Sequence, residues 1–170
     1  WTNGVDHGVL YIDGVGIPWN GLISVDEVPV NEGIRSYYFD GRKTLDTVVG
    51  EDFGAKVTAF VYPDELDEIQ GYFGLTYRVK HQLHLIYNVS TIPVDKNWNS
   101  IAEDIDPSNF AWDISTVPAF VPGARPTAHL IIDTVDGHPD AIQEVIDLLY
   151  GTDVTDPTLP SPTEIVDIFT

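Results

Sequence analysis

The sequence predicts a mainly β fold: an antiparallel sandwich or barrel with one flanking α-helix, a long loop and a C-terminal arm. Three observations carry this. Short apolar runs closed by Asp-Gly, Gly or Pro recur through the first three quarters of the chain. A single stretch, 139–150, has helical spacing of its apolar residues. The residues that follow are rich in Thr, Asp and Pro and read as extended. We expect one domain over 1–151 and an arm over 152–170.

Taken in order, Val9 to Ile12 is an apolar run that ends at Asp13-Gly14, a dipeptide suited to tight hairpins. Leu22 to Val25 and Tyr37 to Phe39 read as strands, the latter running into a second hairpin signal at Asp40-Gly41. Between Asp26 and Asp52 we expect a long functional loop, which holds Arg35, Arg42 and Lys43. Lys56 to Tyr62 alternates as a half-buried strand should, and Pro63 ends it. Phe73 to Val79 and Gln82 to Val89 read as two more strands. The residues between them, Lys80-His81, include no Gly, Asn, Asp or Pro to reverse the chain, so a loop is expected to be missing there. A second gap is expected near Gln70 to Tyr72. Phe110 to Thr116 and Ala128 to Asp133 complete the strands, joined by a surface connection with three prolines and a glycine.

The one helix, Pro139 to Tyr150, places Ile142, Val145, Ile146 and Leu149 on one face, with Gly151 as its stop. Asp140 and Glu144 suit the positive end of its dipole. The tail ends in an apolar cluster, Ile165, Ile168 and Phe169, which either docks on a neighbouring molecule or folds back on its own body.

Charge narrows the function. The chain has 27 acidic and 8 basic residues, a formal net charge of −19. After Arg125 it has no Lys or Arg, while nine acidic residues follow. Phosphate-gripping surfaces need clustered Lys and Arg, so nucleic-acid binding is excluded as a design. An acidic wall past which DNA slides is not excluded, since like charges repel. Cysteine is absent, which removes thiol and disulfide chemistry. No apolar run approaches a membrane span and no basic, hydrophobic leader opens the chain. Methionine is absent and the chain opens at Trp1, so the encoded start is expected upstream.

Catalytic patterns are missing. No nucleophile elbow, phosphate-cradling Gly loop or cysteine nucleophile is present. His81 and His84 point to opposite faces if they share a strand, and His7, His129 and His138 lie in no ligand pattern, so no metal is expected. Asp133 to Gly137 has a fragment of a calcium loop, but Val135 stands at a ligand position, and a turn explains it better. Acidic pairs such as Asp64-Glu65 and Glu103-Asp104 are weak grounds for a glycosidase. We expect no enzyme and no cofactor.

An ordered set of segments resembles the major tail proteins of siphophages, closest to those from actinobacterial phages. They are Trp19-Asn20-Gly21-Leu22, Tyr38-Phe39-Asp40-Gly41-Arg42-Lys43, Ala59 to Glu65, Phe73 to Arg78, His84 to Asn88, Phe110 to Asp113, Arg125 to Asp133, and Leu149 to Thr152 with Leu159-Pro160. The resemblance spans nearly the whole chain. It implies a tail-tube fold whose subunits form hexameric rings. Rings stack through a long loop and terminal arms, with an acidic lumen that conducts DNA during ejection. Partners would be further copies of the chain and the tape measure, terminator and distal tail proteins, in the virion tail assembled in the host cytoplasm. DNA would pass without specific binding, and no membrane is involved. On this reading Asp26, Glu27, Asp64 and Glu65 are lumen or inter-ring acidic candidates. Arg35, Arg42, Lys43, Tyr37 and Tyr38 are inter-ring loop candidates, and Ile165, Ile168 and Phe169 dock the arm.

Other classes remain open at this point. A terminator or tube-tip protein also forms rings. A carbohydrate-binding or adhesion sandwich would stack sugars on Trp19, Trp98 and Trp112, and a hydrolase would work through two carboxylates.

Overall fold

A computed structural model describes residues 4–28, 33–39, 42–49, 53–96, 110–121, 125–135 and 138–170, with the backbone path alone for 33–39, 42–49 and 93–96. Ten strands make one antiparallel sheet: β1 (Val5–Ile12), β2 (Val15–Trp19), β3 (Leu22–Val28), β4 (Gly33–Phe39), β5 (Arg42–Val49), β6 (Gly54–Ala59), β7 (Phe73–Val79), β8 (Gln82–Lys96), β9 (Phe110–Thr116) and β10 (His129–Asp133). Three helices accompany it: α1 (Glu65–Glu68), α2 (Pro139–Tyr150) and α3 (Pro162–Ile168). The mainly β, antiparallel reading is thus correct. The sheet is not closed into a barrel.

The long strand β8 organises the molecule. Its first half pairs with β7 and, over Gln82 to Ile86, with β10; its second half pairs with β9. One branch of the sheet therefore runs β2-β1-β7-β8-β10-β5-β4, and the other runs β8-β9-β6-β3. Leu10, Leu75, Tyr77 and Ile86 of the first branch share a core with Val57, Ala59, Trp112 and Ile114 of the second. Trp19 meets Trp112 edge to face at 5.6 Å, and Tyr62 packs against both Phe110 and Trp112. Such aromatic pairs add about 0.5–1.5 kcal/mol beyond area burial.

The pleat sends alternate residues the other way. Val9, Tyr11, Leu83, Leu85, Tyr87, Leu130 and Ile132 form a second core with Ile142, Val145 and Leu149 of α2 and Ile165 and Phe169 of α3. Helices α2 and α3 therefore cover one face of this branch of the sheet. Helix α2 has the predicted limits, with Pro139 in its first turn and Gly151 at its C-cap.

Two bulges keep the alternation in phase. His7, at φ +51°, lies where three residues of β1 span two of β7. Asn88, at φ +49°, does the same in β8, so that Ile86 and Val89, three apart, both reach the first core.

Lys80 and His81, where a missing loop is expected, form a two-residue turn that closes the β7–β8 hairpin. Lys80 takes a left-handed φ of +56°, and the His81 carbonyl accepts both the Thr134 N–H and the Thr134 hydroxyl, at 2.7 and 2.9 Å. Near Gln70, Gly71 takes φ +124° between α1 and β7. The expected loop over 26–52 is largely replaced by the end of β3 and the β4–β5 hairpin.

Candidate functional site

The structure separates the predicted acidic residues. Asp26 and Glu27 are adjacent in β3, so the pleat points them oppositely. Asp26 pairs in register with Lys56, which in turn pairs with Asp113, and all three are exposed on the outer face. Glu27 pairs with buried Ala55 and turns toward Tyr77 and His84. Asp64 and Glu65 do not lie at a strand end as expected; they are exposed at the start of the one-turn helix α1.

The basic and aromatic candidates gather on the β4–β5 hairpin. Phe39 pairs with Arg42 and Tyr38 with Lys43 at its tip, with Tyr37 opposite Leu45 and Arg35 opposite Thr47 further in. Among the described residues, the hairpin pairs with the body over Leu45 to Thr47, against Leu130 to Ile132 of β10. No described strand pairs with the outer edge of β4.

Of the two placements open to the C-terminal segment, the structure adopts the fold-back. Ile165 and Phe169 are buried in the second core and Ile168 packs against it. Ser161 caps α3 in a reciprocal box with Glu164, whose carboxyl is held below its usual value mainly by the Ser161 backbone N–H. Upstream, the Pro157 carbonyl accepts the Gly16 N–H at 2.9 Å, and the Pro160 carbonyl accepts the Tyr87 hydroxyl at 2.9 Å. Leu159 sits over Gly74, where a Cβ would collide with it.

Trp19 and Trp112 are 4% and 2% exposed, so they cannot stack on a sugar, which corrects that candidate set. Trp98 lies outside the described residues. The Trp19 indole donates to the Val61 carbonyl at 2.8 Å, and Gly21 allows the Val61 backbone an approach that any side chain would block.

The polar cluster that the sequence did not foreshadow lies beneath β3. His84 of β8 and His129 of β10 share a face, and their Nδ1 and Nε2 atoms approach to 3.0 Å. His84 Nδ1 is also 3.4 Å from Glu27 Oε1. The Tyr77 hydroxyl donates to that same oxygen at 3.0 Å, while its ring stacks on His84 with centroids 4.6 Å apart. Phe53 closes over the His129 ring at 4.4 Å. Both histidines are buried, at 6% and 1% exposure, whereas the Glu27 side chain is 39% exposed. Burial, and then the neighbouring His84, push the His129 imidazole down to about 3, so it is neutral near pH 7. The His84 hydrogen bond holds the Glu27 carboxyl below its usual value, against desolvation. Tyr77 is pushed above the usual tyrosine range by burial and by Glu27, and so stays a donor.

Reading residues 45 positions apart as partners requires the β8–β10 pairing, which aligns Ile86 with His129 and His84 with Ile131. The local pattern searched in the sequence was His81 with His84, and His81 lies in the turn. Asp133 Oδ1 accepts the Val135 N–H at 2.9 Å, which supports the turn reading there. Compared with protein families, curated proteins and solved structures, the chain gives no match in any of the three.

Proposed function

We propose that this chain is a structural subunit that forms hexameric rings, stacked into a tube of the siphophage tail-tube type with an acidic lumen for DNA. The observation that carries this reading is an antiparallel sheet left open, ending in a hairpin whose outer strand β4 pairs on its far edge with no other described strand. Exposed long edges invite strand addition, and a protein that does not aggregate must cover them. Closure into a ring does this with a single repeated contact. The β2 edge is less available: it contains Pro18 and gives its Gly16 N–H to Pro157.

Charge supports the same reading. With a net charge of −19, a wall built from this chain repels a phosphate backbone instead of binding it. The basic hairpin residues Arg35, Arg42 and Lys43 are then placed to meet acidic residues of the adjacent ring. Single exposed pairs contribute ~0–1 kcal/mol, so stacking strength comes from repetition around the ring. Mass measurement by sedimentation is the test, with particles of six chains and their multiples expected. A species of one chain at every concentration contradicts the proposal, and six-chain rings that never stack indicate a terminator instead.

A further inference from the structure

We infer that Glu27, His84 and His129 form a binding site for a divalent transition-metal ion of the zinc class, with the open coordination position on the solvent side at Glu27. The site goes beyond the assembly role and does not depend on it.

Geometry separates this from a hydrogen-bonded core network. The three candidate ligand atoms, one from each side chain, lie within 4.8 Å of one another. A tetrahedral ion with ligands at about 2.0–2.1 Å spaces them about 3.3–3.4 Å apart. The separations from His84 Nδ1, 3.0 Å to His129 and 3.4 Å to Glu27, straddle that value. As a hydrogen bond the 3.4 Å contact is a weak one, since strong charge-assisted bonds run about 2.7–2.9 Å.

Proton bookkeeping points the same way. The inner nitrogens, His84 Nδ1 and His129 Nε2, and the Glu27 carboxylate oxygen converge on the same space. The outer nitrogens, His84 Nε2 and His129 Nδ1, meet no hydrogen-bond partner among the described residues. A buried network selected for hydrogen bonding satisfies all its members; here the inner nitrogens converge and the outer ones are unmet. With an ion bound, His84 carries its proton on Nε2 and both inner lone pairs are used.

The surroundings suit an ion. Two imidazoles and one carboxylate, with no sulfur, are the donor set of zinc and its neighbours. Tyr77 fixes the carboxylate through Oε1 and holds the His84 ring by stacking, as outer groups of metal sites do. The half-exposed Glu27 provides the entry path. The ligands come from β3, β8 and β10, so the ion joins the last turn of edge strand β3 to the two central strands. Val28 ends β3 five residues before the hairpin begins at Gly33, so the ion also fixes the near side of that connection.

The test uses the full chain, stripped with a chelator, then titrated with Co2+ as a visible probe and with Zn2+ in competition. We expect one Co2+ per chain with the absorption of a four-coordinate site, displacement by Zn2+, and a raised Tm with either ion. Glu27→Gln keeps size and the Tyr77 contact at the least buried ligand, and its near-UV circular dichroism without metal reports that it folds. This variant should bind at least ~10-fold more weakly, as loss of a ligand exceeds the ~10–100-fold cost of outer-shell changes. A chain with His7→Ala, His81→Ala and His138→Ala should bind like the parent. Absence of a four-coordinate Co2+ spectrum, equal affinity in folded Glu27→Gln, or loss of binding in the triple variant would each overturn the site.

Discussion

At the scale of single residues, the chain places small and special side chains where backbones meet. Gly21 faces the Val61 backbone, so Gly21→Ala is expected to lower stability and disturb the Trp19 hydrogen bond to Val61; an unchanged Tm would contradict that contact. Phe169 is buried against the helix-covered face, and Phe169→Ala should cost about 3–5 kcal/mol by urea unfolding. Ser161→Ala removes the α3 cap and should cost about 1 kcal/mol. Besides Glu27, two carboxyls are held below their usual values, Asp6 chiefly by Arg78 and Glu164 by Ser161. In the folded state both bind protons less well than in the unfolded chain. Their contribution is therefore complete above about pH 5 and is lost as pH falls through their lowered folded values. Asp6 is 44% exposed, so its share is small, and the acid slope should flatten in an Asp6→Asn, Glu164→Gln double variant. Much at this scale was not legible in the sequence. The pleat predicts that Asp26 and Glu27 part, but the Glu27 partners His84 and Tyr77 come from strands more than 45 positions away.

At the scale of elements, reading succeeded where apolar runs were bounded by strong stops. Strands β7 and β9 and helix α2 have the limits that their spacing predicts, and Asp13-Gly14 turns β1 into β2 with both residues at positive φ. Failures have specific causes. Strand β2 contains Gly16 and Pro18, which disfavour a central strand, but an edge strand tolerates both. Lys80-His81 reverses without a turn former because Thr134 holds the His81 carbonyl. Helix α3 carried a legible signal, Ser161 followed three residues later by Glu164, that the Pro-rich context obscured. The hairpin β4–β5 was signalled by Asp40-Gly41, which lie outside the described residues, but its length was not legible. Because it is anchored over three residues of β5, neutralising Arg35, Arg42 and Lys43 is expected to leave the monomer's Tm unchanged and to weaken stacking. Tubes of normal length from that triple variant, seen by electron microscopy, would remove these residues from the ring contact.

At the scale of the whole molecule, two cores lie on opposite faces of one branch, and the outer edge of the hairpin strand β4 meets no other described strand. The opposing forces are edge pairing and self-repulsion. A net charge of −19 resists association at low ionic strength and is screened over a Debye length of about 8 Å near 0.15 M salt. Ring closure by edge pairing should therefore rise with salt while stacking through Arg35, Arg42 and Lys43 weakens, and sedimentation that shows rings lost as salt rises would contradict edge pairing as the ring contact. The central claim, that the chain is a ring-forming wall, is tested most directly by negative-stain electron microscopy of the purified chain at rising concentration in about 0.15 M salt. Six-fold rings and hollow tubes are the predicted result, and a field of single globular particles at every concentration would contradict it.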